Sequence, residues 1–374
     1  MNWTENSDHS YSIGNYGNIT INATDSIAAY DLDHTIIMPK KGKLFLNKNV
    51  DEWIFLDNII DKIKESTIDK KFIIVTNQKK LNKKNDEFEI WKTKVYDVLY
   101  TIGVPCLVLV SFKEDRNRKP SPFIVLDNFS FNKENAFYCG DAGGINKAKT
   151  FKINTKTITH EKDFSDTDYK FALNLGIKFI HRNEYVYNDR TDLPLINYPN
   201  LSIDVNKYTD SNHQINKNTN PEMIILVGMP GSGKSTLAKK YVLLGYQVIN
   251  QDTLKTEKKC LCETTKLLEN NEYVVIDNTN PSKKSRQKYI EIAKKYNYHI
   301  KCIFIDTEKS ICKHNNIYRN IVDPSRVQVP EIAYRMFTKY FELPTSDENI
   351  NEMIRLDFEI DDQYILPEYN YYYY

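Results

Sequence analysis

Short apolar runs rich in β-branched residues recur along the chain, and longer segments in which apolar residues repeat with a helical period separate them. Such runs predict buried strands, and the segments between them predict helices. In the first half, strands are predicted at residues 26–30, 71–75, 104–110 and 136–139, and helices at 50–65 and 87–101. Strands that alternate with helices are typical of parallel sheets, so we predict an α/β fold.

The same alternation begins again after residue 220, with predicted strands at 223–227, 247–250, 273–276 and 300–305. The segment before it contains a single aliphatic residue among many Asn and Thr, as linkers do. We therefore predict a flexible polar lead-in (1–22), a first domain (23–205), a linker (206–220) and a second domain (221–374). The Tyr-rich segment 369–374 is expected to be a strand end or a frayed tail.

Length and composition agree with two ordinary cores. The chain has 374 residues, of which 41% are hydrophobic and 27% charged, and this excludes wholesale disorder. The longest apolar runs are strand-sized, and the N-terminus lacks the pattern of a secretory signal. We expect a soluble intracellular protein, nuclear or cytoplasmic, with no membrane partner and six reduced cysteines.

The net charge of +1 lacks the strongly basic character of proteins that coat nucleic acids without specificity. A local basic groove is still compatible with it. Cys260 and Cys262 have metal-ligand spacing, but no second pair accompanies them, so we do not predict a metal site there.

A glycine-rich motif follows the first predicted strand of the second domain. It matches G-x-x-x-x-G-K-S/T, and a helix is predicted from Ser235. Backbone N–H groups of such a loop curl around phosphate oxygens, the lysine neutralises charge, and the following hydroxyl serves Mg²⁺. The alternative is a glycine-rich turn before an ordinary helix. We predict an ATP-binding loop formed by Gly228, Met229, Pro230, Gly231, Ser232, Gly233, Lys234, Ser235 and Thr236.

Three further residues are candidates for the chemistry beside this loop. Asp252 follows the next strand, where a carboxylate can take a proton from an acceptor hydroxyl; the alternative is an N-cap for a helix starting at Thr253. Asp277 follows an apolar strand, as a Mg²⁺-associated carboxylate does, or it closes a turn. Arg319 lies in a predicted helix and is either a lid charge over the phosphates or an exposed salt-bridging residue.

The first domain carries an acid pair, Asp31 and Asp33, just beyond a strand of small residues. One carboxylate at such a strand end can face a metal and substrate while the other acts as acid and base. An Asp nucleophile needs a divalent cation, because a carboxylate and a phosphate dianion repel each other. Other candidates follow successive strands or lie in a basic loop, although each alone is typical of a turn: Thr76 and Asn77, Lys119 before Pro120, and Asp141 after Gly140.

The order Asp-Leu-Asp-x-Thr, Thr-Asn, Lys-Pro and Gly-Asp resembles the haloacid dehalogenase-type phosphohydrolases. With a P-loop half after it, the chain resembles bifunctional polynucleotide kinase 3′-phosphatases, which heal broken DNA ends. Residues 42–45, 74–78, 162–165, 171–176, 276–281 and 314–316 are also similar to that family. The resemblance implies a haloacid dehalogenase-like Rossmannoid parallel sheet followed by a P-loop kinase parallel sheet.

For the phosphatase half, the resemblance implies that Asp31 attacks the 3′-phosphate and becomes an aspartyl-phosphate. Asp33 would protonate the leaving 3′-oxygen and then activate water. Thr76, with Asn77 beside it, would bind the phosphoryl oxygens, and Lys119 would offset their charge. The Mg²⁺ ligands would be Asp31, Asp141 and the carbonyl of Asp33.

For the kinase half, the resemblance implies that Lys234 and Ser235 hold ATP and Mg²⁺. Asp252 would activate the 5′-hydroxyl, and Arg319 would be a lid residue. The expected substrates are DNA ends that carry a 3′-phosphate or a 5′-hydroxyl, and the expected state is a monomer.

Three departures from the family pattern carry expectations of their own. His34 replaces the usual Gly after the second Asp; it is tolerable if its backbone is not left-handed, and it is expected to crowd the mouth of the site. Gln251 stands where animal relatives often have a basic residue, which would weaken acceptor binding. The 22 residues before the phosphatase leave no room for a forkhead-associated module, so recruitment by phosphorylated scaffold proteins is not expected.

Three alternatives to DNA end healing remain open at this point. The first is a phosphatase joined to a small-molecule kinase, the second is an RNA-repair enzyme, and the third is a nucleic-acid-binding module that has lost catalysis. Intact Asp31, Asp33, Lys234 and Asp252 argue against the last. Phosphate contacts position a strand without identifying it, so the sequence does not separate DNA from RNA.

Overall fold

The computed structural model describes residues 1–40, 53–79, 81, 86–153, 156–188, 215–323, 325–358, 369 and 371. The chain divides into two compact units, Met1–Pro199 with Tyr371–Tyr373, and Asn200–Asn370 with Tyr374. Each unit has a sheet with its own core, mainly parallel in the first unit and fully parallel in the second. The predicted linker falls mostly outside the described residues, which resume at residue 215.

A seven-stranded sheet forms the centre of the first unit, in the order β1-β2-β7-β6-β3-β8-β11. The five strands from β7 to β11 in this order run parallel, and β1 and β2 are added antiparallel at one edge. Two small antiparallel pairs, β4-β5 and β9-β10, lie outside this sheet. The strands are β1 (Asn2–Glu5), β2 (Tyr11–Tyr16), β3 (Ser26–Tyr30), β4 (Ile37–Pro39), β5 (Trp53–Phe55), β6 (Lys71–Asn77), β7 (Cys106–Ser111), β8 (Asn132–Gly140), β9 (Lys149–Ile153), β10 (Lys156–His160) and β11 (Lys178–His181).

The central strands of this sheet are buried on both faces. Alternate residues of each central strand enter opposite core clusters: Tyr30 packs in one and Ala29 in the other. A strand that is buried on both sides shows a continuous apolar run, and this is why these strands were predictable. The helices are α1 (Ile59–Ser66), α2 (Glu87–Ile102), α3 (Phe123–Leu126), α4 (Thr167–Leu175) and α5 (Arg182–Tyr187).

The second unit has a five-stranded, fully parallel sheet in the order β13-β14-β12-β15-β16. Its strands are β12 (Glu222–Val227), β13 (Gln247–Ile249), β14 (Val274–Ile276), β15 (His299–Asp306) and β16 (Glu352–Asp357). Its helices are α6 (Lys234–Leu243), α7 (Gln251–Leu254), α8 (Glu257–Glu269), α9 (Lys283–Lys295), α10 (Lys309–Val322) and α11 (Glu331–Tyr340), with a 3₁₀ turn at Ser346–Glu348. The prediction of an α/β fold with two parallel sheets is confirmed.

The prediction of a flexible lead-in over residues 1–22 is wrong, because β1 and β2 lie within it. β2 pairs with β7 along its whole length, from Tyr11 opposite Ser111 to Tyr16 opposite Cys106. Its buried positions are the small residues Ser12 and Gly14. Backbone hydrogen bonds hold this strand in the sheet. Its sequence lacks the continuous apolar run from which a strand is predicted, and this is why the prediction missed it.

Two other predictions need correction. The helix expected over 50–65 begins only at Ile59, and β5 precedes it; residues 50–52 lie outside the described part. The Tyr-rich segment is not frayed at Tyr369, whose side chain is only 5% exposed. No helix within the described ranges combines the length and apolar character that a membrane crossing requires.

Candidate active sites

The carboxyl ends of three neighbouring strands meet at one edge of the first sheet. Asp31 directly follows β3, Thr76 and Asn77 end β6, and Asp141 directly follows β8. The amide of Asp31 donates to the carbonyl of Cys139 over 2.9 Å, which extends the pairing of β3 with β8 up to the acid. Parallel pairing thus brings residues that lie far apart in sequence to one place.

Lys119 lies at the centre of this site. Its Nζ is 2.6 Å from Asp31 Oδ1, 2.8 Å from Asp168 Oδ1 and 2.6 Å from the hydroxyl oxygen of Tyr138. The amide group of Asn77 brackets the Lys119 backbone: it donates to the carbonyl and accepts from the N–H, both over 3.1 Å. Asn77 was expected to bind phosphate, but the structure assigns it to holding Lys119.

Asp168 is a site residue that the sequence analysis missed. It lies in the first turn of α4, and its Oδ2 accepts from the amide of Ala142 over 3.1 Å. Ligand oxygens of Asp31, Asp141 and Asp168 all lie within 4.8 Å of one another. An acid in the first turn of a helix is ordinary, because it complements the helix dipole. The one signal in the sequence that pointed to Asp168 was its proximity to the family-like segment 171–176.

The electrostatics of this site are dominated by burial and by the crowding of carboxylates. Burial, together with the charges of Asp168 and Asp141, raises the pKa of Asp31 well above its ordinary value, although Lys119 opposes this. Burial and Asp168 also raise the pKa of Asp141. Burial disfavours the Lys119 ammonium, yet Asp168 and Asp31 raise its pKa. The carboxylates of Asp31 and Asp141 are therefore costly to ionise without more positive charge.

These residues fit a divalent cation. With all three acids ionised, Lys119 leaves a net charge of about −2 at the cluster, which one divalent ion neutralises. The donors are all oxygens, the ligand type that Mg²⁺ prefers. The fit thus rests on the donor set and on the charge balance.

Asp33 faces a different set of neighbours. Its Oδ2 accepts from Gln78 Nε2 over 2.6 Å, and its Oδ1 lies 3.7 Å from Nζ of the buried Lys94. The same Gln78 amide donates to Thr76 Oγ1 over 3.0 Å. Gln78 therefore ties Asp33 to Thr76 and fixes the orientation of both side chains.

His34 adopts the left-handed conformation, with φ of 63°. A side chain was expected to be tolerable here only if the backbone is not left-handed, and this condition is not met. Its carbonyl accepts a hydrogen bond from the guanidinium of Arg182. A left-handed non-glycine residue costs free energy. The usual glycine of the family would adopt this backbone at little cost.

The P-loop of the second unit joins β12 to α6, which begins at Lys234. Gly231 and Gly233 have φ of 84° and 98°, and a Cβ at Gly231 would collide with the carbonyl oxygen of Cys312. Lys234 Nζ lies 2.9 Å from the carbonyl oxygen of Gly228 and 2.7 Å from that of Met229. Burial lowers the pKa of Lys234 to about 8, although Asp277 opposes this. The loop has the curled geometry that phosphate binding requires.

Asn250 brings the two acids of this site together. Its Oδ1 caps α7 by accepting from the amides of Asp252 and Thr253, and its Nδ2 donates to Asp277 Oδ2 over 3.1 Å. Asp252 is therefore not the N-cap of a helix starting at Thr253; it is an exposed residue in the first turn. The backbone N–H of Gln251 donates to Asn278 Oδ1 over 2.8 Å, which anchors the start of the helix.

α10 presents Arg319 to this site. Arg319 is half-buried, and its Nε has no hydrogen-bond partner among the residues that the structure describes. Burial lowers its pKa, while Asp252 and Asp277 act in the opposite direction. The alternative of an exposed salt-bridging residue does not fit this environment.

The same helix braces the P-loop. Asn315 Nδ2 donates to the carbonyl of Gly231 over 2.9 Å, and the hydroxyl of Tyr369 donates to Asn315 Oδ1. The Tyr369 ring packs edge-on against His314 and Tyr318, with centroid distances of 4.6 and 4.8 Å. Tyr369 thus acts on the P-loop through one intermediate side chain.

Comparisons with known proteins place these two sites in one family. Residues 26–186 match the family described as "Polynucleotide kinase 3 phosphatase", and residues 223–344 match the one described as "AAA domain". A protein of Schizosaccharomyces pombe, the "Bifunctional polynucleotide phosphatase/kinase", is 30% identical, over 93% of this chain and 83% of its own. The chain belongs to the bifunctional polynucleotide phosphatase/kinase family.

Two other relatives are consistent with this assignment. The "Putative bifunctional polynucleotide phosphatase/kinase" of Acanthamoeba polyphaga mimivirus is 34% identical, over 90% of this chain and 85% of its own. The "Polynucleotide 3'-phosphatase" of Saccharomyces cerevisiae is 26% identical, over 42% of this chain and 86% of its own. The resemblance inferred from the motifs is confirmed, and the phosphatase match precedes the second match along the chain.

Proposed function

We propose that this chain heals nucleic acid ends, removing 3′-phosphates in its first unit and phosphorylating 5′-hydroxyls with ATP in its second, and that its substrates are broken DNA strands. The observation that carries the proposal is the grouping of Asp31, Asp141 and Asp168 around Lys119, on the same chain as a P-loop with Asp252 and Arg319 beside it. The first group suits phosphate hydrolysis, and the second suits phosphoryl transfer.

In the phosphatase reaction, a carboxylate oxygen of Asp31 attacks phosphorus and the bond to the 3′-oxygen breaks. Asp33 gives its proton to the leaving 3′-oxygen. It then takes a proton from water, which attacks phosphorus and releases inorganic phosphate and the Asp31 carboxylate. Lys119, fixed by Asn77, neutralises charge on the phosphoryl group throughout.

Asp31, Asp141 and Asp168, with the Asp33 carbonyl, would hold Mg²⁺ in the first site. When bound, the ion supplies the positive charge that allows a carboxylate to approach a phosphate dianion. In the second site, Ser235 and Asp277 would hold Mg²⁺ together with the ATP phosphates.

In the kinase reaction, Asp252 accepts the proton of the 5′-hydroxyl as its oxygen attacks the γ-phosphorus of ATP and the bond to ADP breaks. Lys234 and Arg319 neutralise the phosphates. The Nε of Arg319 has no partner within the described part of the chain, and this supports the role, because a phosphate oxygen would satisfy a buried donor that otherwise carries a desolvation cost.

The test uses the purified full chain on matched DNA and RNA oligonucleotides with 3′-phosphate or 5′-hydroxyl ends, with Mg²⁺ or with chelator. We expect phosphate release and 5′-labelling on DNA with Mg²⁺, and neither with chelator. Faster reaction on RNA would assign the chain to RNA ends, and labelling of nucleosides but not of oligonucleotides would favour a small-molecule kinase. Absence of both activities on all nucleic acids would refute the proposal.

A further inference from the structure

A buried acid–histidine pair lies behind the loop that carries Asp141. Asp163 and His181 have side chains that are 4% and 0% exposed, and His181 Nε2 lies 3.4 Å from Asp163 Oδ1. Neither residue belongs to the three-carboxylate cluster. Asp163 lies in the family-like segment 162–165, but no role was predicted for it or for His181. A buried pair of this kind needs a structural or functional reason, because its desolvation is costly.

Asp163 binds the Asp141 loop through the backbone. Its Oδ2 accepts from the amides of Gly143 and Ile145 over 2.9 and 3.0 Å, and its own amide donates to the carbonyl of Ile145 over 2.8 Å. One carboxylate oxygen therefore gathers two amides of the segment that directly follows Asp141.

His181 binds the same loop at Asp141 itself. Its Nδ1 accepts from the amide of Asn183 over 3.2 Å and so caps α5, which leaves the proton on Nε2. That N–H points at the carbonyl oxygen of Asp141 over 3.2 Å and at Asp163 Oδ1. The helix cap thus determines the tautomer that reaches the Asp141 backbone.

Gly143 allows this close approach. A Cβ at this position would lie 2.9 Å from His181 Cδ2 and 3.3 Å from Asp163 Oδ2. Both distances are shorter than ordinary contact, so the loop could not lie against the pair with a side chain there. Three observations therefore agree: the acid holds the loop, the histidine holds the carbonyl of Asp141, and the glycine makes room for both.

We propose that Asp163 and His181 are positioning residues that hold the Asp141 loop in the conformation that completes the cation site of the phosphatase. They touch neither substrate nor cation; they act through the Asp141 backbone. The inference rests on the proposed function for its cation. Partners behind metal ligands commonly change metal affinity or activity by about 10–100-fold when they are replaced.

Two substitutions of His181 separate this role from helix capping. His181→Gln places an amide N–H near the position of Nε2 and gives up the cap, whereas His181→Asn keeps a capping oxygen near Nδ1 and gives up the reach to Asp141. Asp163→Asn is the third variant. An Asn side chain has one accepting oxygen, so it cannot accept both from the loop amides and from His181 Nε2–H. Asp166→Asn is the matched control: Asp166 lies on the same segment, and its side chain pairs with Lys170 over 2.8 Å.

The first readout is the Mg²⁺ concentration for half-maximal 3′-phosphatase activity, with 5′-kinase activity of the same sample as internal reference. We expect His181→Asn and Asp163→Asn to raise this concentration about 10-fold or more, and His181→Gln and Asp166→Asn to change it by less than about 3-fold. Kinase activity should be unchanged in all four. Wild-type values in His181→Asn, or equal damage in both His181 variants, would overturn the proposal.

The second readout does not depend on activity. Hydrogen–deuterium exchange of residues 140–145, measured without Mg²⁺, should be faster in His181→Asn and Asp163→Asn and unchanged in His181→Gln and Asp166→Asn. If the His181 variants do not fold, Asp163→Asn alone decides, and unchanged exchange with an unchanged Mg²⁺ requirement refutes the pair's role. A wild-type chain without Mg²⁺-dependent phosphatase activity would instead refute the proposed function, and the exchange measurement would still test the positioning.

Discussion

Each unit has its site at the carboxyl edge of a parallel sheet, yet the two sites balance charge in opposite directions. The phosphatase site groups three acids around one lysine. The kinase site has Lys234 at its centre and Arg319 beside it, with Asp252 and Asp277 acting on both through their charges. Burial raises the pKa of Asp31 and lowers that of Lys234 to about 8.

The same physical cause therefore has opposite signs in the two sites, because burial penalises whichever form of a group is charged. A site rich in carboxylates gains most from a cation, and a site with buried basic groups gains most from an anion. The difference shows how two similar sheets suit different first ligands: the proposed divalent cation in one and nucleotide phosphate in the other.

The sharpest way to break the comparison is to remove the central group of each site. Asp31→Asn should lower 3′-phosphate release by on the order of 10⁴-fold, because the nucleophile is lost. Lys234→Met should lower 5′-phosphorylation by about 100-fold or more, because the positive charge that stabilises the transferred phosphate is lost. Both activities are measured on each preparation, and each variant should keep the activity of the other site. A single substitution that removed both would show that the sites are not separate.

Asp168 tests the part of the phosphatase site that the motifs did not show. Asp168→Asn should lower phosphatase activity about 100-fold and raise its Mg²⁺ requirement, because one of three clustered carboxylates is neutralised. The measurement is the rate of 3′-phosphate release as a function of Mg²⁺. Asp166→Asn, two residues earlier on the chain, is the control. Equal rates in the two variants would remove Asp168 from the cation site.

The pKa of Lys234 predicts a pH dependence of the kinase. With a pKa of about 8, this lysine should be mainly neutral in the nucleotide-free enzyme at higher pH, whereas nucleotide phosphates favour its charged form. ATP binding must then take up a proton, so kcat/KM for ATP should fall by up to about 10-fold per pH unit above 8. Lys234→Arg should flatten this decline. A kcat/KM that does not change between pH 8 and 10 would contradict the prediction.

The same lysine should make the folded chain more stable at high pH, although kinase activity falls there. Its pKa in the folded chain lies below the ordinary value of 10.5, so the unfolded chain binds more protons between about pH 8 and 10.5. The contribution of Lys234 to the free energy of unfolding should therefore rise with pH across this window.

A smaller effect is expected at Tyr369, which braces the P-loop through Asn315. Tyr369→Phe removes the hydroxyl that donates to Asn315 and keeps the ring against His314 and Tyr318. The loss of one hydrogen bond of about 1 kcal/mol should raise KM for ATP about 5-fold. The 3′-phosphatase activity is the internal reference. An unchanged KM would show that the hydroxyl does not position the loop.

The smallest effect concerns His34. Because its φ is 63°, His34→Gly should raise the free energy of unfolding of the first unit by about 1 kcal/mol. Chemical denaturation of the full chain, with phosphatase activity as the reporter, measures this change. A less stable glycine variant would mean that contacts of the imidazole outweigh the backbone strain.

The elements that could be predicted share one property: their own residues determine them. β3 and β12 are continuous apolar runs that end at an acid or a glycine, so both the strand and the site at its end are visible in the sequence. The P-loop is a contiguous motif, and its geometry follows from two glycines.

The residues that could not be predicted depend on partners that lie far away along the chain. Asp168 joins Asp31 only after α4 packs beside β8, and Asn77 takes up its role only when Lys119 lies against it. β2 is a strand because β7 offers it hydrogen bonds. Periodicity reports the environment of a residue, and it does not report which distant side chain supplies that environment.

The antiparallel addition of β2 has a practical consequence for shortened forms of the protein. The family match begins at residue 26, but a chain started there would leave the backbone of β7 without the partner that β2 provides. Open strand edges invite pairing with other molecules. Fragments meant for expression should therefore keep the first 22 residues, and those that omit them are expected to aggregate.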